Sequence, residues 1–356
     1  MFYIRQALLD DASALLKLAR MVNSNNLPDD AEILRTKIIR SRKSFSEGDQ
    51  LTPSEREFIF VLEDTDTGNV IGGSSIIASM GGPDRPNLHL KVRKREFYSE
   101  DLQTGQVHVT LQLCQDVSGP TEIGGLILAP GYRGHQEKLG SLLSLVRFHF
   151  MGLRRTWFAN RIIAEMMGTL TPDSRNMLWD YLGRRFINLS YKEADRFCRQ
   201  SAEFITSLFP PEEVYASLLP PEARRLIGRV GPETEPAKSL LMRLGFQYMG
   251  DVDPFDGGPY LESKIDDIDL VTSTRVVTLG DPVDEFSEQG ILSTFEHGKF
   301  KSIRSSYALV GEHISIPADA AGLLNVEPGD ELGFTPRNPS SSKNSSSTQR
   351  TGAVEH

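Results

Sequence analysis

The residues best placed to do chemistry lie between Thr121 and Leu143, in the stretch TEIGGLILAPGYRGHQEKLGSLL. Ile123 to Leu128 is apolar apart from two glycines and predicts a strand. Ala129-Pro130-Gly131-Tyr132-Arg133-Gly134 predicts a turn. Leu139, Leu142, Leu143, Val146 and Phe150 recur at helical spacing, so a helix is expected from near Glu137. Arg133, Gly134 and Gly140 fall where the backbone must reverse. A helix N-terminus at that point presents unpaired backbone N–H groups and a partial positive charge. Such a turn can seat a pyrophosphate. His135, inside the same loop, would meet a phosphate if it meets a ligand at all. Taken without context, a Gly-rich turn of this kind is more often an ordinary strand-to-helix connection.

Other chemistries lack their residues. No Cys/His pairing has the spacing of a metal site, so no metal is expected. No Gly-x-Ser-x-Gly elbow is present, which argues against a serine hydrolase. The chain has 356 residues, 39% apolar and 24% charged, in the range of an ordinary globular protein. A net charge of −9 leaves no basic excess to neutralise phosphates, so nucleic acid is not expected as a partner. Two cysteines, Cys114 and Cys198, cannot form a disulfide framework, and a reducing cytoplasm is the simpler setting. No run approaches the roughly 18 apolar residues of a spanning helix, and the N-terminus lacks the pattern of a signal peptide, so no membrane association is expected.

The elements that must position the turn can be read in order. Phe2 to Arg5 predicts a strand, and Asp10 and Asp11 open a helix whose face is Ala14, Leu15, Leu18 and Ala19. Leu27-Pro28-Asp29-Asp30 ends a loop and caps a helix from Ala31 to Phe45. Phe58 to Leu62, a turn at Asp64 to Gly68, and Val70 to Ala78 predict a hairpin. Residues 83–120 are polar, with strand-like pieces at Leu88 to Val92 and Val107 to Leu113, and could lie over a cleft. Arg161 to Gly168 predicts a strand, Asn176 to Phe186 a helix, Tyr191 to Leu208 a helix, and Glu235 to Leu244 a helix closed by Gly245. Phe246 to Gly250 then starts a strand. LWDYLGRRF and LLMRLGFQY look alike, best read as two helices with similar glycine caps rather than a duplication. From about Asp266 the texture changes to short strands, at Arg275 to Leu279, Ile291 to Glu296, Ser306 to Leu309, Ile314 to Ile316 and Glu331 to Phe334, with one short helix at Ala318 to Leu324. The expected organisation is therefore residues 1–264 as one α/β domain, 265–336 as a small β-rich module, and 337–356 as a Ser-rich disordered tail.

The phrase LILAPGYRG…LGSLL resembles the acyl-CoA-binding motif of the GNAT acyltransferases, with a longer loop than usual between Gly134 and Leu139. The opening strand, Asp-Asp-Ala and Leu-rich helix are also similar to the start of that fold. More specific phrases follow: LPDDAE at Leu27 to Glu32, FVLED at Phe60 to Asp64, AEMMG at Ala164 to Gly168, Trp179 with LGRRF to Phe186, IGRVGPETEPA at Ile227 to Ala237, and LGFQYMGDVDPFDGGPYLE at Leu244 to Glu262. Together they resemble the arginine N-succinyltransferase family, from Phe2 to about Phe334.

That resemblance implies a GNAT-like mixed, mostly antiparallel sheet flanked by helices. It implies transfer of a succinyl group from succinyl-CoA to the α-amino group of L-arginine, with succinyl-CoA as co-substrate and small molecules as partners. The family's succinyl-CoA contact falls on Leu126, and backbone groups around Leu126 to Leu128 with the turn Arg133, Gly134, Gly140 and Ser141 would hold pantetheine and pyrophosphate. One position departs from the family: its proton-donor His, in the phrase Gly-Gln-Val-His-Pro, falls on Gly231, which has no side chain to move a proton. Glu122, at the start of the central strand, and Glu165, on the adjoining one, are the replacement candidates for base or amine ligand. Asp253 and Asp256 could grip a guanidinium or simply form an Asp-Gly-Gly turn. Tyr248 and Tyr260 could protonate the leaving thiolate or pack in the core. The alternative to an active enzyme is a catalytically reduced homologue that binds CoA or acts as a regulatory partner, or one using a different amine. Whether the chain forms homo- or hetero-oligomers is left open.

Overall fold

The computed structural model describes residues 1–22, 29–83, 85–173, 175–198 and 201–337. The expected loop end at Leu27-Pro28, residues 199 and 200 of the expected helix at 191–208, and the Ser-rich tail beyond Arg337 lie outside the described residues.

Among the described residues fifteen strands form one sheet. They are β1 (Phe2–Gln6), β2 (Glu57–Asp64), β3 (Asn69–Ile77), β4 (Asn87–Ser99), β5 (Thr104–Asp116), β6 (Thr121–Leu128), β7 (Arg161–Glu165), β8 (Val214–Tyr215), β9 (Gln247–Val252), β10 (Pro259–Lys264), β11 (Arg275–Leu279), β12 (Glu288–Glu296), β13 (Lys299–Val310), β14 (His313–Ser315) and β15 (Glu331–Pro336). Their order is β12-β15-β11-β14-β13-β1-β2-β3-β6-β7-β10-β9-β4-β5-β8. The pairs β6–β7 and β11–β14 are parallel and the remaining described pairs antiparallel. This is the mixed, mostly antiparallel sheet that the family resemblance implies.

Three helices frame its centre. α1 (Ala12–Val22) and α2 (Ala31–Glu47) cover one face. Asp30 caps α2, its side chain accepting from the N–H groups of Glu32 and Ile33, which removes two orphan donors. Leu15, Leu18, Leu34 and Ile38 bury Ile59, Val61 and Ile127 on this side. α3 (Leu139–Leu153) covers the other face with Leu139, Leu142, Leu143, Val146 and Phe150, packed on Phe58, Phe60, Ile76, Ile123, Ile162, Ala164 and Leu261. Phe150 meets Phe45, Phe58, Phe60 and Phe300 with ring centroids 5.0–5.5 Å apart. A separate core of Leu178, Trp179, Leu182, Tyr191, Ile205 and Phe209 packs on Leu88, Leu90, Leu111 and Val252 over the outer strands.

Several elements differ from the sequence reading. Residues 83–120 do not lie over a cleft. They form a hairpin of two 13-residue strands, β4 and β5, in the plane of the sheet and paired from Asn87↔Asp116 to Ser99↔Thr104. Its outer half alternates too weakly to read as strand, because there the side chains are exposed on both faces. The segment expected as one helix at Asn176–Phe186 contains a π-turn, Trp179–Gly183. Gly183 is not a cap: it sits inside the helix in right-handed conformation, and a Cβ there would fall 2.2 Å from the Trp179 ring. Gly245, by contrast, is a true left-handed terminator with φ +94. The two similar phrases thus use glycine for different reasons. The expected strand at Ser306 to Leu309 is the second half of β13, whose first half pairs with both β12 and β1 and so joins the C-terminal strands to the central sheet.

Candidate active site

The centre of the sheet opens at the parallel pair. β6 and β7 share two register pairs, Thr121↔Ile162 and Glu122↔Ile163. Beyond them β6 pairs with β3 and β7 with β10. Gly124 to Leu128 and Ala164 to Glu165 therefore diverge and leave a cleft between them. Within that stretch β6 carries a bulge: Gly73 faces Ile127 and Ser75 faces Gly124, so Gly125 and Leu126 together oppose Ser74. Gly125 holds φ +58, and a Cβ on it would meet Ser75 Oγ at 2.7 Å, so only glycine fits. The bulge changes which side chains face α3. Ile123 faces it before the bulge, Leu126 and Leu128 after it, while Ile127 turns to α1 and α2. Unpaired strand backbone beside a cleft can hydrogen-bond an extended ligand chain.

The turn after β6 leads to α3, which begins at Leu139 rather than near Glu137. Lys138 adopts a left-handed conformation, φ +50, that interrupts any earlier helix. Gly134, at φ +74, supplies the other reversal. His135 is spent on the loop: its Nδ1 accepts from the Glu137 N–H, its C=O from the Lys138 N–H, and its ring packs edge-on to Phe2. The N–H groups of Leu139 and Gly140 have no protein partner among the described residues, whereas the Ser141 N–H bonds the Lys138 carbonyl at 2.9 Å. Leu139 and Gly140 thus offer amides to an anion, and Ser141 only its hydroxyl. Arg133 is 42% exposed beside them and pairs with Glu233 at 3.3 Å.

Across the cleft lies a set of carboxyl groups. Ile162 and Ala164 of β7 face α3, so Glu165 faces away from it. By the same alternation Glu122, next to Ile123, faces α2. Cross-strand pairing puts Tyr260 beside Glu165. Its hydroxyl lies 3.2 Å from Glu165 Oε2 and 3.2 Å from the Leu88 carbonyl. Water reaches Glu165, yet protein encloses it on its other sides, the mark of a crevice wall. That enclosure raises its pKa, and the Glu122 and Asp256 charges push the same way against the Tyr260 hydrogen bond. Glu122 is raised too, mainly by burial, and its Oε2 is buried without a hydrogen-bond partner. Carboxyls that are costly to ionise favour a cation nearby.

Asp253 and Asp256 are buried in the loop that ends this crevice. Asp253 Oδ1 accepts from the N–H groups of Phe255 and Asp256. Asp256 accepts from Gly168 and Gly258 at 2.8 and 2.7 Å. A Cβ on Gly258 would fall 1.9 Å from the Met166 carbonyl, which accounts for the second glycine of FDGGP. Both pKa values are raised, first by burial. Gly231 joins the same corner: its N–H donates to the Met167 carbonyl at 3.0 Å, and a Cβ would stand 3.0 Å from the Gly168 carbonyl.

The structure therefore brings Glu122, Glu165, Tyr260, Asp253, Asp256 and Gly231 to one side of the cleft, and Leu126, Leu128, Arg133, Gly134, Gly140 and Ser141 to the other. Tyr248 is not with them: it pairs with Leu261, whose side chain faces α3, so it lies on the opposite face from Tyr260 and is 41% exposed. Arg147, buried in α3 against Gly124, went unnoticed in the sequence because it reads as one more polar residue in a helix. The helical phase of the apolar residues around it was the available signal. Cavities of about 580 Å³ beside Tyr181, Phe186 and Leu218, and about 350 Å³ beside Asp281 and His313, lie away from this cleft. Among the described residues no cluster of His, Cys, Asp and Glu could hold a metal, and no helix is long and apolar enough to cross a membrane.

A splayed parallel pair, a bulged central strand and a free helix N-terminus on a mixed sheet define an acyl-CoA-dependent N-acyltransferase of GNAT-like architecture. The family model described as arginine N-succinyltransferase beta subunit matches residues 2–270. The arginine N-succinyltransferase of Enterobacter sp. (strain 638) is 31% identical over 337 residues, 93% of this chain and 96% of its own. That of Escherichia coli (strain 55989 / EAEC) is 32% identical over the same shares. Among solved structures, the arginine/ornithine succinyltransferase subunit AI from Pseudomonas aeruginosa superposes with a TM-score of 0.81 at 27% identity, covering 94% of this chain and 98% of that one. The chain belongs to the arginine N-succinyltransferase family.

Proposed function

We propose that the protein transfers the succinyl group of succinyl-CoA to the α-amino group of L-arginine, with Glu165 as the base. The observation that carries this reading is the cleft itself: from Gly124 to Leu128 the edge of β6 that faces β7 has no strand partner, with an anion seat at one end and an acidic crevice along the far wall.

In this mechanism the pyrophosphate sits on the N–H groups of Leu139 and Gly140, with Arg133 and the Ser141 hydroxyl beside it. Pantetheine runs along Leu126 and Leu128, which brings the thioester to the bulge. The acceptor amine arrives largely as an ammonium, since its pKa is about 8. Glu165 takes one proton from it, and the neutral nitrogen attacks the thioester carbonyl. Backbone N–H groups at the bulge hold the tetrahedral oxyanion. The C–S bond breaks as the nitrogen gives up its second proton to water, the CoA thiolate leaves, and the proton held by Glu165 passes through the Tyr260 hydroxyl beside it to the thiolate. Asp256, raised only to about 6, keeps a charge at neutral pH that favours a guanidinium nearby, while Asp253 holds the loop through its backbone bonds.

Gly231 gives this reading its one structural tension. A histidine placed there would stand against Gly168, which follows Glu165 in the AEMMG phrase and lies in the same corner of the crevice. Glu165 serves in its stead. The second reading, a partner that binds CoA without turnover, rests on the same glycine.

The test measures free thiol released from succinyl-CoA with and without L-arginine, and with L-ornithine, and identifies the product by mass. Arginine-dependent release with succinylarginine formed supports the proposal. Calorimetric binding of CoA without release would overturn it for the isolated chain and leave the non-catalytic reading.

A further inference from the structure

α3 buries a full positive charge that no acid neutralises. Arg147 is 2% exposed. Its Nε donates to the Ser144 carbonyl at 3.1 Å, its Nη2 to Ser144 Oγ at 2.7 Å, and its Nη1 to the Gly124 carbonyl at 3.3 Å. No carboxylate lies within ion-pair distance of it among the described residues, and burial alone lowers its pKa, to about 9. It is still a cation at neutral pH. Arg56, 8% exposed, is also without an acid, its guanidinium donating to the Gly48, Leu51 and Trp157 carbonyls; such a buried charge is costly and is held only where hydrogen-bond acceptors surround it.

Arg147 also has hydrogen-bonding capacity to spare. A guanidinium has five N–H donors, and the three bonds above leave one N–H on each Nη. That pair is the fork a carboxylate takes bidentately. Its place matters equally. Gly124, whose carbonyl it touches, adjoins the bulge at Gly125 and Leu126. Along α3, Arg147 lies about 12 Å from the first residue, at a rise of about 1.5 Å per residue. It thus lies further along β6 than the anion seat, level with the bulge where the thioester is placed.

We propose that Arg147 is the receptor for the free carboxylate of the acyl group, and so sets the preference for a dicarboxylic acyl donor. This rests on the acyl-CoA transferase reading above. Ser144, gripping Nε and Nη2, is the residue that positions the guanidinium.

The experiment compares succinyl-CoA with butyryl-CoA, which has the same chain length and a methyl group in place of the carboxylate, as donors to L-arginine. The wild type should favour succinyl-CoA in kcat/KM by about 100-fold or more, since the neutral chain leaves the buried cation unpaired. In Arg147→Met that ratio should collapse to within about fivefold, and in Arg147→Lys, which keeps the charge but loses the fork, it should fall about tenfold. A ratio that is unchanged in either variant, with both donors slowed alike, assigns Arg147 to the scaffold and overturns the proposal. If Arg147→Met does not fold, Arg147→Lys and the wild-type ratio decide: a wild type indifferent to the two donors also overturns it. If the wild type acylates no arginine at all, the transferase reading fails, and competition of the two acyl-CoAs for binding still tests Arg147 alone.

Discussion

Arg147 and His149 stand two residues apart on α3, and both are buried. At about 100° per residue their side chains leave the helix in nearly opposite directions. Burial lowers the pKa of each, Arg147 to about 9 and His149 to about 3. The outcomes differ. His149 responds by being neutral, and both ring nitrogens find hydroxyl groups: Nδ1 lies 2.6 Å from Thr335 Oγ1 and Nε2 2.7 Å from Ser293 Oγ, with Thr274 bonded in turn to Thr335. Arg147 cannot become neutral at physiological pH and has no acid. One face of the helix closes its polar network against β12 and β15. The other buries a charge against the Gly124 carbonyl of β6, with two guanidinium N–H groups beyond its three bonds. What sets Arg147 apart is its place beside the bulge of β6 and the two N–H groups that its three bonds leave over. The same contrast holds in the wider molecule. The pKa values of Glu122 and Glu165 are both raised and Glu122 Oε2 is buried without a partner, while the Phe150 cluster beneath β2 is dense and wholly apolar.

The largest expected effect sharpens this contrast on the cleft side. Glu165→Gln should lower kcat by about 100-fold to 10,000-fold, the usual contribution of a general base, with little change in melting temperature. The sign of the pH dependence follows from the raised pKa. The base works only when unprotonated, so wild-type kcat should climb with pH up to about 8 and then level. Glu165→Gln should lose that limb. A variant that melts much earlier, or keeps the limb, would move Glu165 to the structural side of the comparison.

The next effect belongs to the closed side. His149→Ala leaves a cavity and unpairs two buried hydroxyl groups, and should cost about 2–4 kcal/mol of stability. CoA binding by the folded protein should not change. The histidine is neutral in the folded protein and takes a proton near pH 6.5 in the unfolded chain. Its contribution is therefore fully present above about pH 6.5 and is lost as pH falls toward about 3, with a slope of up to about 1.4 kcal/mol per pH unit. Denaturant titrations at several pH values should show that slope in the wild type and not in the variant. A change in acyl-CoA affinity at unchanged stability would break the comparison.

How much of this was legible before the structure follows the same line. The strand, turn and helix from Thr121 to Leu143 were readable because apolar periodicity and glycine act locally. So were β11 and the helix at Ala318–Leu324, whose bounds match. Glu122 and Glu165 could be named but not joined, since their proximity depends on the parallel register of β6 with β7, a contact between segments some forty residues apart in sequence. The bulge was invisible: Gly124-Gly125 says that something unusual happens, but not that two residues oppose one. Tyr248 and Tyr260 looked equivalent, and only the pairing with Leu261 and Glu165 puts them on opposite faces. Arg147 was hidden for the deepest reason. Sequence shows a charged residue, whereas its meaning comes from what is missing around it.

The smallest effect tests where the open side ends. Arg133 sits beside the free N–H groups of Leu139 and Gly140, but it is 42% exposed and its partner Glu233 is 63% exposed. A surface charge of this kind contributes little to stability, about 0–1 kcal/mol, and that contribution is screened by salt. Arg133→Ala should leave melting unchanged and raise KM for succinyl-CoA about threefold to tenfold at low ionic strength, with the difference shrinking as salt is added. The backbone amides, by contrast, are fixed by the left-handed Lys138 and do not depend on a side chain. They should carry most of the pyrophosphate affinity in the variant. If Arg133→Ala instead abolishes binding at every salt concentration, the anion is held by the side chain and not by the helix terminus. The open face of α3 would then begin at Arg147 alone, and the cleft would be specified from its buried end rather than from its mouth.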